Sequence, residues 1–500
     1  MVFHWNVTDD GAVLAGCDGA AGAVVVPGEA LGLPVVGIAA RAFLGSGNVT
    51  SVSLPSGLRN IGENAFLGCV GLTDVTLPDT VTAIGSGIFE GCSELQSVKL
   101  SKGLRDIPAR AFYLCRSLAE IVIPARVERV GESAFSGCDR LANVTLPEGV
   151  LSLGPNAFSP CPAMRAIRVP VSVRRMDATS LPAQLCTQGG LYLPGTGLLV
   201  RASATLRWAA PAGTRILADG ALAGNHDLTE AALPDTVARV GDRAFDGCLC
   251  LRYVKLPDDL SYLGNGAFRA CKKLEAVELP RGLTALADGL FEHSGLKWVE
   301  LPENVETIGS RAFADCDALT SVRLNDKLKS IGASAFARCA ALKALELPEG
   351  LEAIGPQALA GCRALEVLTL PGDIPAGLAD ALPDLRRVAV VAPRLSPEAF
   401  PPLWRKRVCL GFALAAERNI DMPPEIYERN LAWLRAHAAA LVGDAAVNLP
   451  LLRLMLKARC LPLDAARRLV DRLSRANQPE LTLELLHYVQ GNTASDDELW

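Results

Sequence analysis

The sequence lacks the groupings that mark most enzymes. Its histidines are few and scattered: His4, His226, His293, His437 and His487. Their spacing forms no Ser/His/Asp or Cys/His constellation, and no glycine-rich loop follows a strand and opens a helix in the manner of a phosphate-binding site. We therefore expect no catalytic residue and no cofactor, and we predict that the chain is not an enzyme.

Long apolar runs and a charge imbalance are also missing. No stretch of about 18 uninterrupted apolar residues occurs, which argues against a membrane-spanning helix. The net charge is only −5 and 21% of the residues are charged, so neither a nucleic acid nor an anionic membrane is expected as a partner. The segment from Met1 to Asn6 shows neither the basic start nor the apolar stretch of a signal peptide, and we expect a cytoplasmic location.

What the sequence does have is a repeat. Phenylalanine recurs at a constant spacing in two blocks, with one step shorter by a single residue and a final leucine: Phe43, Phe66, Phe89, Phe112, Phe135 and Phe158, then Phe245, Phe268, Phe291, Phe313, Phe336 and Leu359. A period of about 23 residues indicates stacked units, none of which can bury its apolar face alone. The Ala-Phe pair predicts one buried ring per coil. The recurrent glycine before it, such as Gly62, indicates either a positive φ or close approach between coils.

Most of the fifteen cysteines follow the same period. Ten share one repeat position: Cys69, Cys92, Cys115, Cys138, Cys161, Cys248, Cys271, Cys316, Cys339 and Cys362. Stacked coils place equivalent residues about 4.8 Å apart, so we predict a buried column of small side chains with weakly hydrogen-bonding S–H groups. Ser46, Asn225 and Ser294 take this position in other repeats. No cysteine or histidine pair has metal-ligand spacing, so no metal site is expected, and free thiols suit a reducing compartment.

One full unit shows the whole pattern. Residues 54 to 77 have the sequence LPSGLRNIGENAFLGCVGLTDVTL, in which Leu-x-x-Val-x-Leu has the alternation of a short strand. This pattern resembles the BspA-type leucine-rich repeat family of bacterial and protist proteins over about residues 1 to 390. The segment from Trp5 to Ile38 is similar to the hairpin that opens such arrays. The resemblance implies a curved, right-handed solenoid with a parallel β-sheet, used for adhesion or protein recognition.

The repeat pattern divides the chain into predicted segments. These are an N-terminal β-hairpin cap at 1–35, six repeats at 36–170, an irregular β-hairpin insert at 171–218, seven repeats at 219–390, a proline-rich linker at 391–402 and a helical domain at 403–500. Within the insert, Gly189 to Leu199 is typical of a hairpin. Glu480 to Tyr488 is similar to ankyrin-like helices. The predicted fold class is a leucine-rich-repeat solenoid with a small C-terminal all-α domain, and whether the two blocks form one solenoid stays open.

The outward positions of the predicted strands suggest where a partner would bind. The residues on either side of the central valine should point away from the core. In the first block these residues are mainly small and polar, whereas the second block includes a tyrosine and a tryptophan among charges, a composition typical of interaction hot spots. The candidate partner-binding residues are Tyr253, Lys255, Glu278, Trp298, Glu300, Arg323 and Glu346. The alternative is that the two aromatic rings lie flat over neighbouring side chains.

The sequence therefore predicts a monomeric, non-enzymatic scaffold that binds a protein through its strand face. A rigid repeat surface loses little conformational entropy on association, so modest contacts in each repeat can add up. The alternative is an exported surface adhesin or host-interaction protein, which would need an export signal that the present sequence does not show.

Overall fold

The chain folds as two units, Met1–Cys271 and Lys272–Trp500. The computed structural model describes residues 1–185, 190–193, 197–202, 206–383, 388–475 and 479–493. Each unit contains a stack of β-coils, and the second also contains most of the helices. The predicted fold class, a parallel β-solenoid with a C-terminal helical part, is confirmed.

One strand of each coil comes from the Leu-x-x-Val-x-Leu sequence, and we call these the front strands. They pair in parallel with the neighbouring coil. In the first unit they are Gly22–Val25, Val49–Ser53, Asp74–Thr76, Ser97–Lys99, Glu120–Val122, Asn143–Thr145, Arg207–Ala209, Glu230–Ala232 and Tyr253–Lys255. In the second unit they are Trp298–Glu300, Ser321–Arg323, Ala344–Glu346, Val367–Thr369 and Ala389–Val391.

A second strand lies just before the repeat glycine, and we call these the side strands. In the first unit they are Leu33–Ile38, Asn60–Ile61, Ala83–Ile84, Asp106–Ile107, Arg129–Val130, Ser152–Leu153, Arg175–Met176, Leu198–Ala202, Ile216–Leu217, Arg239–Val240 and Tyr262–Leu263. In the second unit they are Ala285–Leu286, Thr307–Ile308, Ser330–Ile331 and Ala353–Ile354. They also pair in parallel, and each residue commonly faces its equivalent in the next repeat, as Ile61 faces Ile84.

The remaining strands form hairpins on the side-strand row. Val2–Thr8 and Gly11–Asp18 are antiparallel, and Gly11–Asp18 pairs in parallel with Leu33–Ile38, so the hairpin extends the row at its first coil. Glu29–Ala30 pairs antiparallel with Leu33–Pro34. Gly190–Leu193 pairs antiparallel with Leu198–Ala202, which places a hairpin where the sequence predicts one; Gly189 and residues 194–196 of that prediction lie outside the described residues.

The predicted column of phenylalanine rings forms the core. Neighbouring rings are stacked, with centroids 5.0 Å apart between Phe43 and Phe66 and 5.6 Å apart between Phe291 and Phe313. The rings are completely or almost completely buried. One ring per coil follows directly from the coil spacing, because equivalent residues of adjacent strands lie about 4.8 Å apart.

The repeat glycine serves close approach between coils. Gly62 does not have a positive φ. A Cβ atom at this position would collide with the backbone of Ala40 in the preceding coil, and the same holds for Gly85 and Glu63. The left-handed backbone occurs two residues after the glycine instead, at residues such as Asn64 with φ 55°. Of the two explanations that the sequence allows for this glycine, close packing is therefore correct.

The segment predicted as an irregular insert contains a regular coil followed by a shortened one. Met176 pairs in parallel with Leu153, and the coil continues to the short 3₁₀ turn Ala183–Leu185. In the next coil, which we call the short coil, Leu199 already pairs with Leu217, whereas Leu217 pairs with Val240 at the regular spacing of the repeat. The missing residues belong to the part that carries the Ala-Phe and Cys positions in other coils.

The helices of the second unit follow its coils. They are α1 (Leu378–Ala381), α2 (Pro402–Glu417), α3 (Pro424–Ala445), α4 (Leu449–Lys457), α5 (Leu463–Arg475) and α6 (Pro479–Thr493), with a 3₁₀ turn at Pro397–Ala399. Helix α2 packs on the last front strand so closely that a Cβ at Gly411 would collide with the Val390 carbonyl. Among the residues described, no helix has both the length and the apolar character needed to cross a bilayer.

Candidate interaction surface

The front strands show the predicted alternation of buried and exposed side chains. In Tyr253–Lys255 and Trp298–Glu300 the central valine is buried, and the residues on either side are exposed. The same pattern holds in the first block, where Val75 is buried between Asp74 and Thr76. Front strands of this kind therefore present two exposed side chains, whose chemistry varies from coil to coil while the buried central position stays apolar.

The first unit contributes Tyr253 and Lys255 to the predicted set. Tyr253 is 56% exposed, so neighbouring side chains leave most of it uncovered. It lies opposite Glu230 of the adjacent front strand, and Lys255 lies opposite Ala232. Glu230 in turn forms an ion pair with Arg207, with 3.2 Å between Oε1 and Nη2. The tyrosine thus stands at the edge of a charged strip that crosses three front strands.

The second unit contributes the remaining residues, which centre on Trp298. This side chain is 46% exposed and lies opposite Ser321, whose small side chain cannot cover the indole. Glu300 lies opposite Arg323, and an ion pair of 3.2 Å joins them. Glu346 is exposed on the next front strand, and Glu278 is exposed but lies outside the strands. Trp298, Glu300 and Arg323 therefore form one surface on two paired strands.

A second ion pair lies next to this surface. Lys297, which precedes Trp298, holds Glu275 at 2.7 Å between Nζ and Oε2. Both ion pairs are solvent-exposed and contribute little to folding stability. Their effect is to fix charges of both signs around an exposed aromatic ring, which is the arrangement that protein interfaces use to orient a partner.

The cysteine column is a packing device. Each of the ten cysteines donates its S–H to the carbonyl oxygen of a residue in the preceding coil, as Cys69 does to Phe43 at 3.1 Å. Burial raises the pKa of the Cys69 thiol to about 11 and that of Cys161 to about 12. The cysteines in the described part of the chain are free thiols. These groups are therefore inert, and the predicted packing role is confirmed.

A histidine and two carboxylates converge at one edge of the second unit. Single ligand atoms of Glu292, His293 and Asp315 lie within 4.8 Å of one another. Both carboxylates are already held by guanidinium groups, Glu292 by Arg311 and Asp315 by Arg338. A cation would have to displace these arginines, so the arrangement favours a charge network over a metal centre.

A cavity next to the short coil was not predicted from the sequence. It measures about 1170 Å³ and lies entirely in the first unit, lined by residues such as Arg175, Arg201, Asp219, Asn225 and Arg243. A signal for it does exist in the sequence, because Leu199 and Leu217 stand closer together along the chain than equivalent residues of regular coils. The coil before the short coil has leucine in place of phenylalanine and glutamine in place of cysteine. The repeat is therefore hard to follow from that coil into the short one.

Comparison with known families identifies the family to which these repeats belong. The model of the BspA-type leucine-rich repeat region matches residues 36–165, 105–181, 215–316 and 284–376, which together exceed half of the chain. The chain belongs to the BspA-type leucine-rich repeat family. The matched residues leave out only part of the segment around the short coil and the two ends of the chain.

Solved structures of similar repeat proteins come from several bacteria. The chain is 23% identical to a leucine-rich cell surface protein from Faecalibacterium prausnitzii A2-165, over 74% of this chain and 93% of that one, with a TM-score of 0.37. It is 23% identical to a leucine-rich repeat protein from Bacteroides ovatus ATCC 8483, over 78% of this chain and 98% of that one, also with a TM-score of 0.37. No curated protein is similar enough to count as a match.

Proposed function

We propose that this BspA-type repeat protein is a non-enzymatic scaffold that binds a protein partner through its front strands. The observation that carries the proposal is the exposed indole of Trp298, at the centre of a strand surface with charges of both signs. Tryptophan is enriched among residues that dominate binding energy. An indole that is left 46% exposed on a rigid sheet also loses little entropy when a partner covers it.

The second-unit surface consists of Trp298, Glu300, Arg323, Glu346 and the nearby Glu278. The ion pair between Glu300 and Arg323 presents a fixed dipole beside the indole, so a partner with a complementary charged rim and an apolar centre fits it best. Tyr253 and Lys255 form a separate, smaller patch on the first unit, which we propose as an additional contact.

The test is affinity capture from a lysate of the source organism with wild-type protein and with Trp298→Ser. Val122→Ser is the matched control, because Val122 is also an exposed apolar residue on a front strand, 66% exposed, but lies in the first block. We expect a protein that is retained by wild type and by the control and lost with Trp298→Ser. Thermal melting of all three proteins is the control that they are equally folded.

The captured protein is then purified and its affinity for each variant measured by calorimetry. Loss of a hot-spot indole should weaken binding by about tenfold or more. Equal binding by Trp298→Ser and wild type would overturn the proposed surface. The separate variant Tyr253→Ser tests the first-unit patch, which predicts a smaller loss.

We also propose a cytoplasmic location, and the exposed free thiol of Cys250 allows a direct test. A maleimide that cannot cross membranes should label Cys250 only after the cells are broken. Labelling of wild type but not of Cys250→Ser on intact cells would instead support the exported-adhesin alternative.

A further inference from the structure

The short coil leaves a gap in the stack of the first unit. Its chain passes from Leu199 to a front strand that already begins at Arg207, whereas the following coil takes the longer path from Leu217 to Glu230. The short coil therefore lacks the turn that would carry its phenylalanine and cysteine positions. The cavity of about 1170 Å³ lies beside this coil, with Arg175 and Asp177 from the coil before it and residues 219–225 from the coil after it among its lining.

The environment of Asn225 shows the effect of the missing turn. It takes the cysteine position, and the cysteines at that position donate to a carbonyl of the preceding coil, as Cys248 does to Leu222 at 3.2 Å. Gln184 takes the cysteine position in the regular coil that precedes the short coil. Its Nε2 donates to the carbonyl oxygen of Cys161 at 2.8 Å. Asn225 is only 7% exposed, and neither its Nδ2 nor its Oδ1 has a hydrogen-bond partner among the described residues. Asn225 is one of the residues that line the cavity, but both polar atoms of its amide are covered and find no partner among the described residues, although burying such a group normally costs free energy.

The aspartates that line the cavity already accept hydrogen bonds. Their donors are Arg129 for Asp106, Thr179 for Asp177, Arg175 for both Asp219 and Asp242, and Arg269 for Asp246. Because Asp219 is also partly buried, desolvation raises its pKa above the ordinary value despite the neighbouring Arg175. The acidic groups of the lining are thus committed to partners within the protein.

Two guanidinium groups are left over. Arg201 donates through Nη2 to the carbonyl of Ala178 at 2.8 Å, and within the described residues it meets no carboxylate. Arg243 has an exposed side chain and likewise forms no ion pair with any residue that the structure describes. Guanidinium groups bind phosphate and carboxylate groups through paired N–H donors. The groups of the cavity that can still bind a ligand are therefore the N–H donors of these two guanidinium groups.

We propose that the cavity beside the short coil binds a small anionic molecule. Arg201 and Arg243, which both line the cavity, hold its phosphate or carboxylate group. The volume of about 1170 Å³ slightly exceeds the roughly 300–1,000 Å³ typical of small-molecule pockets, so the cavity has room for a phosphorylated or carboxylated sugar. This site is separate from the front-strand surface and does not depend on it.

The test is calorimetric titration of the full chain at low ionic strength with glucose 6-phosphate, gluconate, inorganic phosphate and neutral glucose. We expect glucose 6-phosphate or gluconate to bind, which identifies the group as phosphate or carboxylate, and glucose to bind at least about tenfold more weakly. Absence of heat for all three anions at millimolar concentrations, or equal affinity for glucose, would overturn the proposal.

Substitutions in the cavity lining test whether the anion binds there. Arg243→Gln should weaken binding of the anion by about tenfold or more, and it should fold normally because its side chain is exposed. The matched control is Arg59→Gln, an exposed arginine of the same unit away from the cavity, which should bind as wild type does. Arg201→Gln, which removes the other guanidinium group of the proposed site, should also weaken binding by about tenfold or more, and thermal melting checks that it folds as wild type does. Wild-type affinity in both Arg243→Gln and Arg201→Gln would rule the cavity out.

Discussion

The thiol of Cys92 donates a hydrogen bond to the carbonyl oxygen of Phe66, 3.2 Å away and 26 residues earlier in the chain. The same carbonyl also accepts the backbone N–H of Cys69 at 3.2 Å, so the thiol adds a second hydrogen bond that ties one coil to the coil before it. Its repetition at ten positions explains why a small residue with a weak donor recurs there.

Replacing one thiol in the middle of the column should destabilise the first unit. Cys115→Ala removes the donor to the Phe89 carbonyl and leaves a small void, so we expect the free energy of unfolding to fall by about 1–3 kcal/mol. Urea denaturation measures it. Cys250→Ala, at an exposed position, is the control and should change stability by less than about 0.5 kcal/mol. Equal effects of the two substitutions would contradict the packing role.

The same burial predicts which thiols react. Burial raises the pKa of the Cys248 thiol to about 12 and holds that of Cys115 well above its ordinary value, so their thiolate forms are scarce near neutral pH. We expect a chromogenic disulfide reagent at pH 8 to modify exposed Cys250 rapidly in the native protein. The column thiols should react only after denaturant is added. Rapid reaction of many thiols in the native state would be incompatible with this structure.

The joint between the second-unit coils and helix α2 should not tolerate a methyl group. Gly411→Ala places a Cβ against the Val390 carbonyl, so we expect the helices to pack less firmly and the free energy of unfolding to fall by about 1–3 kcal/mol. Gly443→Ala in helix α3 is the matched control. Its added Cβ would meet no atom within 4 Å, and it should stabilise the protein by about 0.5–1 kcal/mol through helix propensity. Thermal unfolding monitored by circular dichroism compares the two variants.

The unsatisfied amide of Asn225 gives a prediction of opposite sign. Asn225→Cys replaces two buried polar atoms that find no partner among the described residues by a thiol that is easier to bury, so we expect a gain of about 1–3 kcal/mol in the free energy of unfolding. The measurement is urea denaturation without added ligand. A loss of stability would show that the asparagine amide has partners in the folded protein.

The ion pair of Asp315 and Arg338 should make stability depend on acid. The hydrogen bond from Arg338 lowers the pKa of Asp315 below its ordinary value of 3.8. A carboxyl group with a lowered pKa in the folded state contributes stability above that value, and the contribution disappears as the pH falls through the folded pKa. We expect Asp315→Asn to destabilise the protein at pH 7 but to match wild type near pH 2. Glu306→Gln, which removes a more exposed ion pair with Lys329, should have a smaller effect at both pH values.

Sequence periodicity predicted the core well because each repeat position has one environment. Phe66 and Cys69 are typical of their columns, and the exposed positions around Val75 follow from strand alternation. The prediction of a free-thiol column was also correct. The free thiols do not by themselves indicate a reducing compartment, because buried thiols such as Cys69 resist oxidation in any compartment.

The periodicity failed where the residues departed from the usual type. Leu181 and Gln184 hold the phenylalanine and cysteine positions of a regular coil, yet neither residue matches the repeat, so that coil was assigned to the insert. The sequence signal of the short coil, the close spacing of Leu199 and Leu217 along the chain, gains its meaning only from the pairing of these two residues in the structure. The cavity depends on residues such as Arg175 and Asp242, which are 67 positions apart and meet only through the coil stack.

The regular step between most paired side strands, such as that from Ile61 to Ile84, has a consequence for how such a chain changes over generations. Because most coils carry their own ring, their own thiol and the carbonyl that the next thiol needs, a gene segment that encodes one such unit can be copied or lost in frame and still join its neighbours. The shortened coil at Leu199 is less than a whole unit. The coils on either side of it pair directly between Asp177 and Asp219, and the shortfall leaves a recess beside them.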